Sequence, residues 1–403
     1  MSPRRYLRLT LAATLAATAT ILLVNWQVDP FSLGGAASAG GRPAEDADAT
    51  GASFLQKAFA VRRAGAAAVI LGTSRSDFGL MSGHPGFPAA ARPVYNLSLG
   101  GVSIAQMRDL LVHAQHAHPL RVAVIGLDLE SFLPGGRTDF DRAVLAGNPE
   151  SAPEWMSRAR LDLSWRALAA STGLRPVRET AEVQETGVGH RQILQIREFE
   201  NFHSRLPQLF PRRDYGDRWD TDPHRAASMR AFAELLAYAR RESIDLRLFI
   251  SPVHARYLEL YRRVGWWPLF ESWKRALTGA LAEEAGQEPG RIAFPLWDFS
   301  GFNDLTMEAV PPATDLQTRM RWYRDSSHYS REHGSLILDR VLNHARQDAT
   351  PAAPVVRVDT KNIEAHLGRQ RLDAYGYRVT HGAEIADANG TIRLLRLFVR
   401  NRP

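Results

Sequence analysis

Two short stretches of this chain combine residue types that can move a proton off a hydroxyl and use the oxygen as a nucleophile. Gly72-Thr73-Ser74-Arg75 follows an apolar run, a position where a tight turn can expose a serine hydroxyl to a cleft. Asp325-Ser326-Ser327-His328 sets a carboxylate three residues before an imidazole, close enough to orient the ring that accepts the serine proton. Each stretch has a plainer use. A serine just past a strand is more often a helix cap than a nucleophile, and Ser330 before a helical run from Glu332 to Asn343 lets His328 merely precede a helix.

The elements around these stretches alternate. Strand-like runs at Ala67 to Leu71, Pro93 to Leu97, Arg121 to Leu127, Leu246 to Ile250 and Ile292 to Trp297 are separated by helical patterns that include Ile104 to His118 and His224 to Ser243. This alternation predicts an α/β fold, doubly wound, with a mostly parallel sheet and helices on both faces. Ligands bind such sheets outside the carboxyl ends of the strands. The residues there are Ser74 and Arg75 after the first run, Asn96 to Gly101 after the second, Asp128 after the third, His254 after the fourth and Asp298 after the fifth. His254 has two readings, a cleft-lining group or a satisfied polar residue at a strand end.

The chain divides into an N-terminal tip and anchor (1–28), a flexible linker (29–51), the main domain (52–350) and a C-terminal extension (351–403). Residues 131–222 lack the alternation and read as an insertion. In the extension, the alternating run Thr391 to Val399 predicts a strand or a small appended unit.

Composition narrows the classes. With 403 residues, 45% apolar and 23% charged, the chain can bury a sizeable core. The net charge of +7 rests on arginine, since Lys57, Lys274 and Lys361 are the only lysines, and the arginines form no basic block of the kind nucleic-acid binding uses. The absence of cysteine removes disulfides and thiolate chemistry. No Gly-x-Gly-x-x-Gly or P-loop pattern follows the first strand. His113, His116 and His118 lack carboxylate partners, so a solvated helix end accounts for them better than a metal site, and the expected metal and cofactor content is none. Trp266, Trp267, Phe270 and Trp273 read as core at helical spacing, with a sugar-stacking wall as the rival.

Arg4, Arg5 and Arg8 precede an uncharged stretch from Leu9 to Val28, long enough to span a bilayer. Basic residues on its short side predict a cytoplasmic N-terminus and a domain held in the periplasm or otherwise outside the cytoplasmic membrane. A cleaved signal peptide is the alternative, with Ala37-Ser38-Ala39 as its cleavage site, though this lies far from the end of the apolar run.

In their order along the chain, these blocks resemble the SGNH/GDSL hydrolase superfamily. The resemblance covers roughly residues 67 to 345 without the insertion, and implies a flavodoxin-like three-layer α/β/α fold. It assigns the nucleophile to Ser74, the backbone oxyanion donor to Gly101 within Asn96-x-x-x-x-Gly101-x-Ser103, and the acid and base to Asp325 and His328. The third block departs: Gly126-Leu127-Asp128 stands where Gly-x-Asn-Asp is expected, and a carboxylate cannot donate to an oxyanion unless protonated. Asp128 is then structural or binds something else, and Gly301-Phe302-Asn303-Asp304 spells the missing block only by coincidence. The oxyanion hole falls to the N–H groups of Ser74 and Gly101, helped by Arg75. With the anchor, the chain is also loosely similar to SGNH-like proteins of envelope polysaccharide O-acetylation, including the alginate type. The resemblance implies a serine esterase or O-acyltransferase acting on an acylated envelope glycan, with the inner membrane and a membrane acyl-transfer partner beside it. A catalytically degenerate polysaccharide-binding or assembly subunit is the alternative.

Overall fold

The computed structural model describes residues 2–28, 54–138, 140, 142, 145, 189–204, 219, 222–345 and 355–400. The linker, the Ala37-Ser38-Ala39 site, most of the 131–222 insertion and the Pro351 break lie outside the described residues. Helix α1 (Pro3–Val28) is, among the described residues, the one helix long and apolar enough to cross a membrane, and none of its apolar window is buried against the domain.

The domain begins with α2 (Phe54–Ala64) and then alternates β1 (Ala68–Leu71), α3 (Ser74–Gly79), β2 (Val94–Asn96), α4 (Ile104–Ala117) and β3 (Val122–Leu127). After α5 (His190–His203) and α6 (Pro223–Arg241) come β4 (Asp245–Ile250), α7 (Ala255–Arg263), α8 (Trp267–Gly286), β5 (Leu296–Asp298) and α9 (Arg331–Val341). The chain ends in β6 (Val356–Arg357), α10 (Ile363–Thr380) and α11 (Gly382–Arg400).

The six strands lie in the order β2-β1-β3-β4-β5-β6, all parallel except β6, which runs antiparallel to β5. The central strands AVIL and VAVIGL are unbroken apolar runs because both their faces are covered. Val69, Leu71, Ala123 and Ile125 point into one core with residues of α2, α4, α6 and α8; Ala68, Ile70, Val122 and Val124 point into a second with Leu336, Ile337 and Val341 of α9. Because β2 and β3 flank β1 on opposite sides, the crevice at the carboxyl ends of β1 and β3 is the topological switch point. This is the predicted α/β architecture.

Two expectations fail. The fifth strand is shorter than Ile292 to Trp297 because Pro295 has no N–H to give the ladder. Thr391 to Val399 is not a strand: it lies in α11, where Ala388, Ile392 and Leu395 are buried at helical spacing while Leu394 and Leu397 are exposed. Nor is the extension appended. Leu367, Tyr377, Ile392 and Leu395 belong to the main core, and buried charges fix the extension further. Arg256 of α7 is wholly buried between Glu198 of α5, at 2.8 Å through two nitrogens, and Asp387 of α11, at 2.7 Å. Asp387 also takes Arg191 of α5 at 2.6 Å, so the one well-described insertion helix and the last helix are clamped to the same core element.

Candidate active site at the carboxyl end of the sheet

The turn after β1 is built around Ser76. A Cβ on Gly72 or on Gly126, at the end of β3, would stand 2.3 Å from the Ser76 hydroxyl oxygen, so glycine at both positions lets the two strand ends close on α3. Thr73 caps α3, its Oγ1 accepting the N–H of Arg75 at 3.3 Å, which leaves Ser74 as the first helical residue with its hydroxyl released from capping. The cap reading of this serine therefore belongs to its neighbour.

The Asp325-x-x-His328 stretch is a tight loop. Tyr323 and Tyr329 form an antiparallel bridge, the Arg324 N–H donates to the His328 carbonyl at 2.9 Å, and Ser330 caps α9. Inside the loop, Asp325 Oδ1 accepts the N–H groups of Ser327 and His328 at 2.8 and 2.9 Å, and Oδ2 accepts His328 Nδ1–H at 2.8 Å. A carboxylate only accepts, so His328 carries its proton on Nδ1 and presents Nε2 as a base. The Ser74 hydroxyl lies 2.8 Å from that Nε2. Burial alone would raise the Asp325 carboxyl, but His328 and the two loop N–H groups outweigh it and hold the carboxyl down at about 2. Phe78 meets the imidazole edge-on at 5.4 Å between ring centres.

Gly101 faces this chain of groups from the β2–α4 turn. Its φ of +72° is a conformation that glycine adopts readily, and a Cβ on the adjacent Gly100 would stand 3.5 Å from the Ser74 Cβ, so the turn packs directly on the serine. The Ser74 N–H, first in its helix, has no intrahelical acceptor, and the Gly101 N–H makes none of the loop hydrogen bonds among the described residues. Both residues line the same cleft.

The other predicted residues support the site from behind. Arg75 is committed mainly to an ion-pair network behind the serine. Its Nε donates to the Ser327 carbonyl at 3.1 Å, both Nη atoms grip Glu130 at 2.9 Å, Nη2 reaches the Ser327 hydroxyl at 3.2 Å, and Nη1 lies 2.9 Å from Asp128. Four of its five N–H donors are hydrogen-bonded to Glu130 and Ser327. Asp128 is the second counter-ion of this guanidinium and accepts the Thr73 hydroxyl at 2.5 Å, which gives the departure in the third block a structural account. Asn96 donates to the carbonyls of Ser76 and Leu80 at 3.2 and 3.0 Å and shapes the turn without reaching the cleft. Beneath it, Lys57 bridges Asp77 and the carbonyls of Asn96 and Ser98. His254 is buried rather than cleft-lining: it caps α7, its Nε2 meets the Glu308 carbonyl at 2.8 Å, and its own N–H holds the Ser326 carbonyl of the catalytic-type loop at 3.0 Å. Burial pushes its ring down to about 3.

A cleft of about 240 Å³ opens over Ser74 and His328. Besides Gly101 and Ser103, its walls include Glu130, Gly135-Gly136, Asn201, Ser204 and Tyr257, none of which was singled out from the sequence. Glu130, two residues beyond Asp128, was within reach of the strand-end rule; it also accepts the hydroxyls of Tyr257 and Tyr261 at 3.2 and 2.6 Å. Asn201 and Ser204 come from the insertion, where no periodicity pointed to them. Asn303 of the coincidental block spends its side chain on the N–H groups of Leu305 and Thr306. Trp266, Phe270 and Trp273 are core. His116 and His118 are exposed as expected, but His113 is buried, with its ring nitrogens on the carbonyls of Ala58 and Leu145. Among the described residues no three His, Asp or Glu side chains gather as a metal site.

The arrangement can deprotonate the Ser74 hydroxyl and stabilise the resulting imidazolium. A scan against protein-family models and a search of curated proteins found no match to this chain.

Proposed function

We propose that the protein is a serine-dependent acyl ester hydrolase or O-acyltransferase of the SGNH type, working on an acylated glycan or similar ester of the cell envelope. The observation that carries the reading is the unbroken contact from Ser74 Oγ to His328 Nε2 and from His328 Nδ1 to Asp325, at 2.8 Å each. In the first half-reaction the Ser74 oxygen attacks the acyl carbonyl while its proton passes to His328. The tetrahedral oxyanion is held by the N–H groups of Ser74 and Gly101. Collapse returns the proton from His328 to the departing alkoxide and leaves an ester on Ser74. Water or a sugar hydroxyl, deprotonated by the same imidazole, then takes the acyl group. The hydroxyl- and amide-bearing wall formed by Ser103, Asn201, Ser204 and Tyr257 supports a polar acceptor or leaving group.

In the same reading α1 anchors the chain, with the arginine-bearing tip in the cytoplasm and the domain outside it. Labelling of the purified full-length protein with a fluorophosphonate tests the chemistry. The expected result is stoichiometric modification of the native protein and none of Ser74→Ala or His328→Ala. A native protein that is folded yet takes no label sinks the reading in favour of a binding or assembly role.

A further inference from the structure

Outside α1, nine large apolar side chains are exposed among the described residues, and five of them sit on the last two helices: Leu372, Tyr375 and Val379 of α10, Leu394 and Leu397 of α11. Those of α10 recur at i, i+3 and i+7, a single stripe, and a Cβ on Gly368 or Gly376 in the same stripe would meet nothing within 4 Å. The opposite faces of both helices are fixed in the core through Leu367, Tyr377, Ile392 and Leu395, so the exposed apolar residues are not there to complete it. On α10 the stripe has both Arg371 and Asp373 beside Leu372, whereas the charges around the α11 pair have one sign. From Ala388 to the C-terminus the chain carries four arginines and no acidic residue, and Arg393 and Arg396, both exposed, flank Leu394 and Leu397. An apolar helical stripe bordered by arginines has the chemistry of a surface that lies in the headgroup region of an anionic bilayer, the stripe facing the acyl boundary and the guanidinium groups the phosphates.

We propose that the exposed face of α10 and α11 docks on the anionic surface of the membrane that α1 enters. The proposal rests on α1 being embedded, not on the chemistry of Ser74. The 25 residues from 29 to 53 between α1 and α2 reach at most about 85 Å, which keeps the domain within about two domain diameters of the bilayer. Docking has a consequence for the site. Asp387 of α11 is ion-paired to Arg256 of α7 and Arg191 of α5, and these two helices bring Tyr257 and Asn201 to the cleft wall. A membrane-bound α11 therefore holds the cleft at a set orientation to the surface instead of leaving it to tumble on a tether.

The chain has no cysteine, so a single introduced one takes a label uniquely. Full-length Leu372→Cys, Leu397→Cys and, as a reference on exposed His116 of α4, His116→Cys are labelled with an environment-sensitive fluorophore. Each is reconstituted in phosphatidylcholine vesicles with or without phosphatidylglycerol. With the acidic lipid, the probes at 372 and 397 are expected to shift to the blue and to be quenched at least about twofold more than the reference by a quencher carried on the acyl chains. Both effects should fall in an Arg393→Glu/Arg396→Glu background. Probes that behave like the reference overturn the proposal. So does an equal shift in detergent or without acidic lipid, which would mean that another part of the protein or a second copy covers the face. A chain that fails to float with the vesicles removes the anchor and the proposal together, leaving the fluorophosphonate result untouched.

Discussion

Two Asp–His pairs with a serine nearby stand at strand ends of this sheet, and their chemical fates differ. In one, Asp325 binds His328 at 2.8 Å and His328 binds Ser74. In the other, Asp298 at the end of β5 binds His366 at 2.8 Å, but it also binds Lys274 at 2.7 Å, and Ser300 donates its hydroxyl to Asp298 instead of meeting the imidazole. Asp298 has a buried ammonium bonded to it and no side-chain exposure; its charge is already spent, and the network fastens Gln370 of α10 and Lys274 of α8 to the sheet. Among the described residues no lysine or arginine is bonded to the Asp325 carboxylate. Its charge is left for the imidazolium that forms when Ser74 gives up its proton. Residue types alone do not distinguish the two clusters; what separates them is whether the third partner is a cation or a cleft.

Substitutions should separate the two clusters in opposite directions. The largest effect is expected at the cleft: Ser74→Ala, His328→Ala or Asp325→Asn should lower ester turnover by roughly 10³- to 10⁴-fold, measured with an aryl acetate, while the thermal melting of Ser74→Ala stays near native. In the core cluster, Lys274→Met strands the buried Asp298 carboxylate and should cost about 3–5 kcal/mol of stability in a denaturant melt. Its fluorophosphonate labelling at low temperature should equal the native protein's. If Lys274→Met stays folded but loses labelling, the two clusters are coupled and the distinction between them fails.

Arg75 tests a middle case, a buried charge that belongs to the site without touching the reacting atoms. Its hold on the Ser327 carbonyl and on Glu130 ties the histidine loop to the strand end that carries Ser74. Arg75→Lys keeps a charge but cannot grip Glu130 with two nitrogens while reaching Ser327. A misplacement of His328 by a fraction of an ångström to one ångström should reduce kcat by up to about 100-fold, with KM for a small ester little changed. An equal loss in both parameters would place Arg75 in substrate binding instead.

Much of this was legible beforehand because it is local. The apolar runs fixed the strands, the strand-end rule gathered Ser74 and Gly101, and the short loop spacing paired Asp325 with His328. What escaped was set by distant partners. Nothing in Gly-Leu-Asp announces that Asp128 answers a guanidinium 53 residues earlier at Arg75. Thr391 to Val399 alternates on paper, yet burial of Ile392 and Leu395 against the core imposes the helical period. His254 reads as a strand-end residue until the chain brings Glu308 and Ser326 to it.

Acid should expose the same contrast between core and cleft through stability. Burial lowers His254 to about 3 and His333 to about 4, whereas a histidine in an unfolded chain titrates near ~6.5. Between those values the unfolded chain binds protons that the folded one refuses, so stability falls as pH falls, by up to about 1.4 kcal/mol per pH unit for each ring. Asp325 acts later, because its lowered carboxyl contributes stability above the ordinary carboxylate range that is lost as pH drops toward about 2. The melting temperature should therefore decline in two stages, the first well above pH 4. His254→Asn keeps an acceptor for the Arg256 N–H at the start of α7 and removes one of the buried rings. It should flatten the first stage and leave the second alone. A variant whose melting temperature follows the native pH curve throughout would show that His254 is not held neutral by its burial.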